Sequence, residues 1–461
     1  RGTAFLFGSE LKALLAHPSV APEVDAEGLA EILAVGPART PGHGVFRGVA
    51  ELRPGHWLVH DRSGTSIRRY WTLERRPPPD DPETTAWRVR DTLQDPVERQ
   101  LVSDVPVCTL LSGGLDSSAI TAYASAALQR AALGAVVTYS VDYVDNERHF
   151  QPNRLQPNSD APWVRRVSDF LGTSHHLVTI DTPELVDALT AAVRAHDRPC
   201  MADVDASLYL FCREIKKGAT VGLSGECADE IFGGYPWFHN PEALAADTFP
   251  WARMTRQRSS LLSAEVAAWI RPEEYVAERY REALAEVPRL LGEGAGEARI
   301  REMSYLTITR FMPTLLDRKD RTSMAHGLEI RVPFCDHRLV GYVWKIPWAM
   351  KNWDQREKGL LRRALAGLLP EDVLWRRKRP YPKTHNPAYL AAVRDLVHQI
   401  VEDSGSPLLQ LMDPSALRHL LRSEGSAFEP AWFGQLMGGA QLFAYLAQLD
   451  TWLREYRVVI H

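Results

Sequence analysis

The chain has 461 residues, of which 45% are hydrophobic and 24% are charged, values that are ordinary for a folded globular protein. Its formal net charge of −4 argues against a nucleic-acid-binding scaffold, and it contains no run of about 18 apolar residues that would predict a membrane span. The five scattered cysteines form no Cys-x-x-Cys pair, so they predict neither a zinc site nor a thioredoxin-like motif. The first residues do not resemble a signal peptide, and we expect a cytoplasmic protein with reduced thiols and roughly two to three domains.

The N-terminal part of the chain predicts a short mixed segment that ends in a linker. Apolar runs predict strands over 3–7, 45–49 and 55–60. A short helix is expected over 9–15, with Ser9 as its cap. Residues 75–82 are rich in arginine, proline and aspartate, which is the composition of an extended polar linker.

After the linker, predicted strands and helices alternate. Apolar residues at helical spacing predict a helix over 87–101, which Pro96 should kink. The elements expected next are strands over 105–111, 135–141, 176–180 and 220–223 and helices over 119–128, 182–196 and 205–217. This alternation predicts an α/β fold with a doubly wound parallel sheet. Beyond residue 240 the pattern is mostly helical, and we expect those helices to pack around the sheet.

The most informative segment is Leu-Leu-Ser-Gly-Gly-Leu-Asp-Ser-Ser at 110–118, between a predicted strand and a predicted helix. Its glycines allow the backbone to approach an anion, and the helix N-terminus adds a positive partial charge. Its serines can donate hydroxyl groups, and Asp116 can hold Mg²⁺ against phosphates. The segment lacks the glycine spacing and the lysine of a Walker loop, and it resembles the pyrophosphate loop of ATP pyrophosphatases.

A second segment of this kind occurs at 220–235, Thr-Val-Gly-Leu-Ser-Gly-Glu-Cys-Ala-Asp-Glu-Ile-Phe-Gly-Gly-Tyr. The acidic residues after its Ser-Gly are also typical of the first turn of an ordinary helix. Open parallel sheets, however, bind ligands at the carboxyl ends of their strands, so the two segments predict two edges of one site. Asp116 and Asp229 would then share Mg²⁺, and Glu226 would face the reacting carbonyl.

Two further strings follow in the chain. The third is Arg-Lys-Asp-Arg-Thr-Ser-Met-Ala-His-Gly-Leu-Glu-Ile-Arg-Val-Pro-Phe-Cys-Asp-His at 318–337, and the fourth is Lys-Gly-Leu-Leu-Arg-Arg at 358–363 with the basic run at 376–383. In this order the four strings resemble the asparagine synthetase family over about residues 5–390. The resemblance implies an ATP-pyrophosphatase-like synthetase domain (adenine nucleotide α-hydrolase type) with extra helices, joined to an α+β glutaminase domain with an N-terminal nucleophile.

The resemblance also implies how the chain is divided. Residues 1–74 would be the C-terminal part of the glutaminase domain, 75–85 the linker and 86–461 the synthetase domain. The nucleophile of that family is an N-terminal cysteine, and Arg1 cannot take its place. We therefore expect the head of the glutaminase domain to lie upstream of this segment; the alternative is a variant that lacks glutaminase.

The chemistry that the resemblance implies is ATP-dependent amide formation. A carboxylate, first of all aspartate, is activated as an acyl-adenylate with release of pyrophosphate, and ammonia derived from glutamine then displaces AMP. The implied cofactors are ATP and Mg²⁺. The implied partners are a small-molecule carboxylate and ammonia or glutamine, with no nucleic acid and no membrane, and a homodimer is left open.

The family pattern assigns roles to individual residues. Pyrophosphate and Mg²⁺ would be held by Ser112, Gly113, Gly114, Asp116, Ser117 and Ser118, with Asp229 as the second metal ligand. Adenosine would be held by Leu110, Val141, Ser224 and Gly225. Glu226 would accept a proton from ammonium, and Lys378 would contact the intermediate and the departing pyrophosphate. Glu329 would support the site, although a structural ion pair with Arg331 explains it equally well.

One departure from the family leaves the acceptor open. Asparagine synthetases commonly carry an arginine shortly before the second segment, whereas residues 200–207 here read Cys-Met-Ala-Asp-Val-Asp-Ala-Ser. Asp203 and Asp205 could meet an α-amino group, with Arg198 or Arg213 taking the carboxylate. Alternatively, the same chemistry acts on another carboxylate, such as a precursor in cell-wall or secondary-metabolite biosynthesis.

Three readings remain beside these. The polar stretch 145–160 is either a surface loop or a lid over the acceptor site. A tRNA-modifying pyrophosphatase would need a cysteine pair for sulfur relay and a basic face, and the sequence has neither. A non-catalytic binding relative is opposed by the intact set Asp116, Glu226, Asp229 and Lys378.

Overall fold

The computed structural model describes residues 4–74, 80–152, 156–428 and 431–461. Its strands are β1 (Glu23–Val24), β2 (His56–Asp61), β3 (Gly64–Arg69), β4 (Val107–Leu110), β5 (Val137–Tyr143), β6 (Ser174–Ile180), β7 (Val221–Leu223), β8 (Glu329–Arg331) and β9 (Val459–Ile460). Five of them form a parallel sheet with the order β6-β5-β4-β7-β8. Of these five strands β4 comes first along the chain and lies in the middle of the sheet, with the later strands added on both of its sides. This order confirms the predicted doubly wound parallel sheet.

Helices cover the sheet and continue beyond it. In chain order they are α1 (Leu11–Leu15), α2 (Ala26–Ala30), α3 (Pro82–Gln100), α4 (Leu115–Arg130), α5 (Asn146–His149), α6 (Ala161–Leu171), α7 (Thr182–His196), α8 (Ala202–Lys216), α9 (Ala228–Phe232), α10 (Pro241–Ala245), α11 (Thr255–Ser259), α12 (Ala264–Ile270), α13 (Pro272–Ala285), α14 (Ala295–Leu306), α15 (Met312–Met324), α16 (His337–Trp344), α17 (Trp348–Lys351), α18 (Gly359–Ala364), α19 (Glu371–Leu374), α20 (Pro387–Glu402), α21 (Pro414–Arg422) and α22 (Gly439–Glu455). None of the described helices is both long enough and apolar enough to cross a bilayer.

The predicted elements around the sheet are present. Strands β4 to β7 overlap the four predicted strands, and α7 has the predicted bounds because Asp181 caps it and accepts a hydrogen bond from the Glu184 N–H. Strand β8 was not predicted, since it is only three residues long and two of them are charged. Helix α3 begins at Pro82, inside the segment predicted as linker, and runs through Pro96 to Gln100. The linker residues 75–79 lie outside the described part of the chain.

The N-terminal expectations were partly wrong. Residues 4–8 form no strand in the described structure. The N-cap position of α1 is Glu10 rather than Ser9, and the Glu10 side chain makes no capping hydrogen bond. Residues 45–49 form a turn, in which Val45 has a φ of 64°. The predicted strand 55–60 corresponds to β2, which pairs with β3 in an antiparallel hairpin. Strand β3 gave little apolar signal because all of its residues are exposed.

The largest core joins the two ends of the chain. The ring of Phe46 lies 5.8 Å from that of Trp452, and the Tyr445 hydroxyl donates a hydrogen bond of 2.7 Å to the Ile32 carbonyl. Strand β1 also pairs with β9. Among the helices beyond residue 240, α20 packs on α21, α22 and α7, and α22 packs on α7 and α8 as well as on residues 24–46, rather than directly on the sheet. The N-terminal segment therefore shares a core with the last helices.

Candidate active site

A cavity of about 250 Å³ opens at the carboxyl ends of β4, β5 and β7. Helix α15, the segment 376–382 and the loop 434–436 form its other walls. This is the edge at which open parallel sheets bind ligands, because the loops that leave neighbouring strands diverge there. The first and second sequence segments therefore meet at one cavity, as expected.

The first segment wraps the start of α4. The Ser117 hydroxyl lies 3.0 Å from the Ser112 hydroxyl and accepts a hydrogen bond of 3.2 Å from the Ser112 N–H. Ser112, Gly114, Asp116 and Ser117 line the cavity. Gly114 is the N-cap of α4, a helix of 16 residues, so the N-terminal amides of that helix face the cavity. An anion in the cavity would be stabilised by these amides and by the helix dipole.

Two residues of this segment lie behind the cavity wall. Gly113 has a φ of 66°, and a Cβ on it would come within 2.6 Å of the backbone of Trp163 and Val164. A glycine is therefore required for the close approach of α6, which is a structural role rather than contact with a ligand. Ser118, in the first turn of α4, is fully buried and is not among the residues that line the cavity. These two positions support the loop from behind.

The second segment lies against the first. A Cβ on Gly225 would come within 2.7 Å of the Ser117 N atom, so the two loops touch through this glycine. Ser224, Gly225, Glu226 and Asp229 all line the cavity. The predicted adenosine residues Leu110 and Val141 line it as well, next to Tyr139, Leu177 and Phe211. That side of the cavity is an apolar slot suited to a flat ring.

Lys358 was missed by sequence analysis and lies at the centre of the charged residues. Its Nζ atom is 2.7 Å from Asp116 Oδ2 and 2.9 Å from Asp229 Oδ1, and Lys378 Nζ is 2.8 Å from Asp229 Oδ2. Burial alone would raise the pKa of Asp229, but the two ammonium groups outweigh burial and lower that pKa to about 2. Burial opposes the charge of Lys358, yet the two carboxylates outweigh it and raise its pKa.

Glu226 faces two cations. Its Oε1 atom lies 3.4 Å from Lys319 Nζ and 3.6 Å from Arg318 Nη1. Its Oε2 atom is buried and has no hydrogen-bond partner within the described residues. Buried acceptors without partners are uncommon in proteins and are expected at sites that receive a ligand or a proton. Arg318 and Lys319, which the sequence offered only as parts of a motif, are both buried at this point of the cavity.

The basic run at 376–383, called the strap below, is largely packed against the protein: Arg376 is buried, Arg377 is exposed and the other residues are partly buried. Arg376 donates a hydrogen bond of 2.8 Å to the Gly113 carbonyl, forms an ion pair with Asp160 and lies 4.8 Å from the Trp163 ring centre. The Lys378 N–H donates a hydrogen bond of 3.0 Å to Glu357. These contacts hold the strap across the first segment and direct Lys378 to Asp229.

The stretch predicted as a loop or a lid borders the cavity. Asn146, Phe150, Gln156, Ser159 and Asp160 are among the lining residues. Residues 146–149 form the short helix α5, and residues 153–155 of the predicted stretch lie outside the described part of the chain. A role of this stretch as a lid stays a prediction.

The structure does not bring Glu329 to the cavity. Its side chain is 56% exposed and lies 2.7 Å from Arg331, which is the structural ion pair that the sequence offered as the alternative. The reason is its position on the edge strand β8, where its side chain faces solvent rather than the strand ends. Glu329 is not among the residues that line the cavity, and its role in supporting the site stays a prediction.

The predicted acceptor residues are also placed elsewhere. Asp203 and Asp205 are buried under the cavity in α8, where Asp203 accepts a hydrogen bond from Gln441 and Asp205 accepts one from Arg318. Arg198 is buried 3.6 Å from Asp317, and Arg213 lies near the surface 2.6 Å from Glu184. Asp205, Arg198 and Arg213 thus pair with opposite charges inside the protein, whereas Asp203 bonds a neutral amide. None of the four is among the residues that line the cavity.

Comparison with known proteins agrees with this geometry. The sequence matches the family model for asparagine synthase over residues 88–454 and the model for a glutamine amidotransferase domain over residues 1–71. It is 52% identical over 459 residues to asparagine synthetase [glutamine-hydrolyzing] 3 of Bacillus subtilis, an alignment that covers 100% of this chain and 74% of the relative.

More distant relatives follow. Asparagine synthetase [glutamine-hydrolyzing] 1 of Bacillus subtilis is 27% identical over 438 residues (86% of this chain, 65% of the relative). The asparagine synthetase [glutamine-hydrolyzing] of Rattus norvegicus is 26% identical over 346 residues (73% of this chain, 50% of the relative). The chain thus spans about three quarters of the first relative and between half and two thirds of the other two. With a family match over most of its length and a parallel sheet that carries the matching loops, the chain belongs to the asparagine synthase family of ligases.

Proposed function

We propose that this chain activates the side-chain carboxylate of aspartate as an acyl-adenylate, releases pyrophosphate, and transfers ammonia to give asparagine and AMP. The observation that carries the proposal is the meeting of Asp116, Asp229 and Glu226 at one cavity, with Lys358 and Lys378 between the carboxylates. Such a site can hold a polyphosphate at one end and a reacting carbonyl at the other. The 52% identity to a relative named as an asparagine synthetase supports the same conclusion.

ATP would lie with its adenine in the apolar slot beside Leu110 and Val141. Its phosphates would meet Ser112, Gly114 and Ser117 at the N-terminus of α4, where amides and hydroxyl groups can donate hydrogen bonds. Gly113 and Ser118 would hold this loop from behind. Lys378 lies near enough to the same end to offset negative charge on the departing pyrophosphate.

Magnesium fits the donor set at this end. Asp116 and Asp229 direct carboxylate oxygens toward one point, and Mg²⁺ is commonly held by one or two carboxylates together with substrate phosphates. The bound ion would supply neutralisation of phosphate charge. Lys358, which bridges the two carboxylates in this structure, would hold them together when the ion is not bound.

Glu226 would take a proton from ammonium next to the adenylate carbonyl. Ammonia attacks only in its unprotonated form, so a carboxylate at this position supports the second step. Arg318 and Lys319 on either side of Glu226 favour an acceptor with a second carboxylate, as aspartate has. Because Asp203 and Asp205 do not line the cavity, they no longer support the alternative of a different carboxylate from cell-wall or secondary-metabolite biosynthesis, which stays as the second candidate.

Glutamine is the proposed source of ammonia. Residues 1–71 match a glutamine amidotransferase domain, and the relatives are named as glutamine-hydrolyzing. The division into residues 1–74, linker 75–85 and synthetase domain 86–461 belongs to the same proposal. All five cysteines are free thiols, which is compatible with a reducing compartment such as the cytoplasm.

The test is direct product analysis. The purified chain is incubated with ATP, Mg²⁺, ammonium and aspartate, and the products are identified by mass spectrometry. Asparagine, AMP and pyrophosphate in equal amounts are expected. AMP without asparagine, or intact ATP, would reject aspartate as acceptor, and a panel of other carboxylates assayed by AMP release would then test the second candidate.

A further inference from the structure

Arg318 lies between two acidic residues, one buried beneath the cavity and one lining it. Its Nε atom donates a hydrogen bond of 2.8 Å to Asp205 Oδ1, and its Nη1 atom lies 3.6 Å from Glu226 Oε1. Asp205 is buried in α8 beneath the cavity, whereas Glu226 lines the cavity. The guanidinium group of Arg318 therefore makes a hydrogen bond to Asp205 but lies beyond hydrogen-bond distance of Glu226.

Asp205 is ionised and forms an ion pair with Arg318. Asp205 Oδ2 accepts a hydrogen bond of 2.8 Å from the Met201 N–H and lies 3.5 Å from His196 Nε2. Burial lowers the pKa of His196 despite the aspartates beside it, so the imidazole is neutral at neutral pH. Burial opposes the ionised form of Asp205, but the charge of Arg318 outweighs burial, and the pKa of Asp205 is lowered. Arg318 is thus its cationic partner.

Glu226 already faces a second cation, Lys319, at 3.4 Å. A buried guanidinium without its carboxylate is strongly unfavourable and would move to the nearest remaining anion. That anion is Glu226, and a movement of less than about 1 Å would close a charge-assisted hydrogen bond between them. Glu226 would then have cations at Oε1 from both sides and would be a weaker acceptor for a proton from ammonium.

We propose that Asp205 is a positioning residue, which holds Arg318 back from Glu226 and so keeps Glu226 free to accept a proton. The inference rests on the proposed function, because it assigns the effect to the ammonia step. Arg318 also lies 5.4 Å from the Tyr381 ring centre, a contact that does not involve either carboxylate. Asp205 itself does not contact the reacting atoms.

The experiment compares two nucleophiles in the full chain. Ammonium must lose a proton before it attacks, whereas hydroxylamine is largely unprotonated at neutral pH and gives the hydroxamate with release of AMP. The ratio of the ammonium rate to the hydroxylamine rate therefore reports the proton-accepting step and cancels effects on ATP binding, adenylation and folding. The variants are Asp205→Asn, Asp203→Asn as a control with the same burial on the same helix, and Glu226→Gln as a reference for the loss of the acceptor.

We expect Asp205→Asn to lower this ratio by about tenfold or more, part of the 10²- to 10⁴-fold that a general base contributes. Asp203→Asn should keep the wild-type ratio. The double variant Asp205→Asn with Arg318→Gln removes both buried charges together, which limits the cost to the fold. Both of its rates should fall, because Arg318 also faces the acceptor, while the ratio of the two rates should return to within about threefold of wild type.

An unchanged ratio in Asp205→Asn, or a double variant as low as Asp205→Asn alone, would overturn the inference. If the single variant does not fold, the double variant decides: a near-wild-type ratio supports the inference and a low one rejects it. Failure of the proposed function is distinguishable, because the wild-type chain would then form neither asparagine nor the hydroxamate.

Discussion

Lys358 Nζ lies 2.7 Å from Asp116 Oδ2, although the two residues are 242 positions apart in the chain. The same ammonium group is 2.9 Å from Asp229, so one buried lysine joins the two strand-end loops. Two carboxylates that both contact one ammonium group lie close together, and they would repel each other without a cation between them. The lysine therefore allows the acidic pair to exist in the absence of a metal ion.

Replacement of Lys358 should destabilise the protein and make it respond to magnesium. We expect Lys358→Met to lower the free energy of unfolding by about 3–5 kcal/mol, as found when one partner of a buried ion pair is removed. Added Mg²⁺ should recover part of this loss, because a cation that binds only the folded state stabilises it. The measurement is thermal unfolding with and without Mg²⁺, in the absence of nucleotide.

The matched control for this change is Lys345→Met. Lys345 is a partly exposed lysine 3.8 Å from Glu74, and its loss should change stability by less than about 1 kcal/mol with no dependence on Mg²⁺. Equal magnesium shifts in Lys358→Met and in wild type would argue against Asp116 and Asp229 as metal ligands.

Substitutions of Glu226, which lines the cavity, and of Glu329, which is exposed, should affect the reaction rate differently. Glu226→Gln should lower the ammonium-dependent rate by about 10²- to 10⁴-fold, since its role as proton acceptor is lost while its shape is kept. Glu329→Gln should leave the rate within about twofold, because the side chain of Glu329 is exposed and pairs with Arg331 at the edge of the sheet. Steady-state rates at saturating ATP and aspartate provide the comparison. A large loss in Glu329→Gln would restore it as a functional residue.

Gly113 and Gly114 are adjacent but should differ in their tolerance of a side chain. Gly113→Ala places a Cβ within 2.6 Å of the backbone of α6 at a φ of 66°, and we expect a loss of more than about 2 kcal/mol of stability. Gly114 has a φ of −82°, and the nearest atom to its Cβ is the Ser112 hydroxyl at 3.4 Å. Gly114→Ala should therefore keep the stability of the wild type. Urea unfolding of both variants tests this, and equal losses would contradict it.

The sheet could be predicted from sequence because its strands carry local signals. Strands β4 to β7 are apolar runs followed by turn residues, and α7 carries both a capping aspartate and a regular apolar spacing. Strand β8 and strand β3 carry no such signal, since one is three residues long and the other is fully exposed. Their positions are decided by their pairing with β7 and β2.

The site could be predicted only where a loop carries a recognisable motif. The motifs of the two glycine-containing loops identified residues that line the cavity, and both loops were found. Lys358 and Arg376 were not assigned roles, because a single basic residue in a basic string is usually solvated. Their burial comes from partners far away in the chain, Asp116 for the first and Asp160 for the second. Such pairs are set by tertiary contacts alone.

Asp203 should make stability depend on pH. Burial raises its pKa from 3.8 to about 6, so the folded form keeps a proton that the unfolded chain releases between these values. The loss of folding stability that this raised pKa causes is absent below pH 3.8, grows as the pH rises and is complete above pH 6. Asp203→Asn should therefore raise the free energy of unfolding by about 1–2 kcal/mol at pH 8 and have no such effect at pH 4. Denaturant unfolding at both pH values tests the sign, and a gain that is larger at pH 4 would contradict it.

Cys227 and Cys335 are expected to form a disulfide on oxidation. Leu223 and Arg331 are paired in neighbouring parallel strands, and each cysteine lies four residues beyond its strand, which brings the two Sγ atoms to 2.7 Å. Cys335 is partly exposed and can react first, for example with oxidised glutathione. The buried Cys227 thiol, whose pKa burial raises, then displaces glutathione from the mixed disulfide.

The product should be two hydrogens lighter in mass, with three of the five thiols remaining titratable. A bond across 108 residues should stabilise the chain by about 2–4 kcal/mol, and a reductant should reverse the gain. Cys335→Ser should lose both effects, whereas Cys212→Ser, which removes a thiol buried elsewhere, should keep them. Because the bond fixes the loop that carries Glu226 and Asp229, the ammonium-dependent rate of the oxidised form then measures how much motion this loop needs during turnover. Loss of five thiols in one step, or no loss under mild oxidant, would show that the two sulfur atoms do not react as a pair.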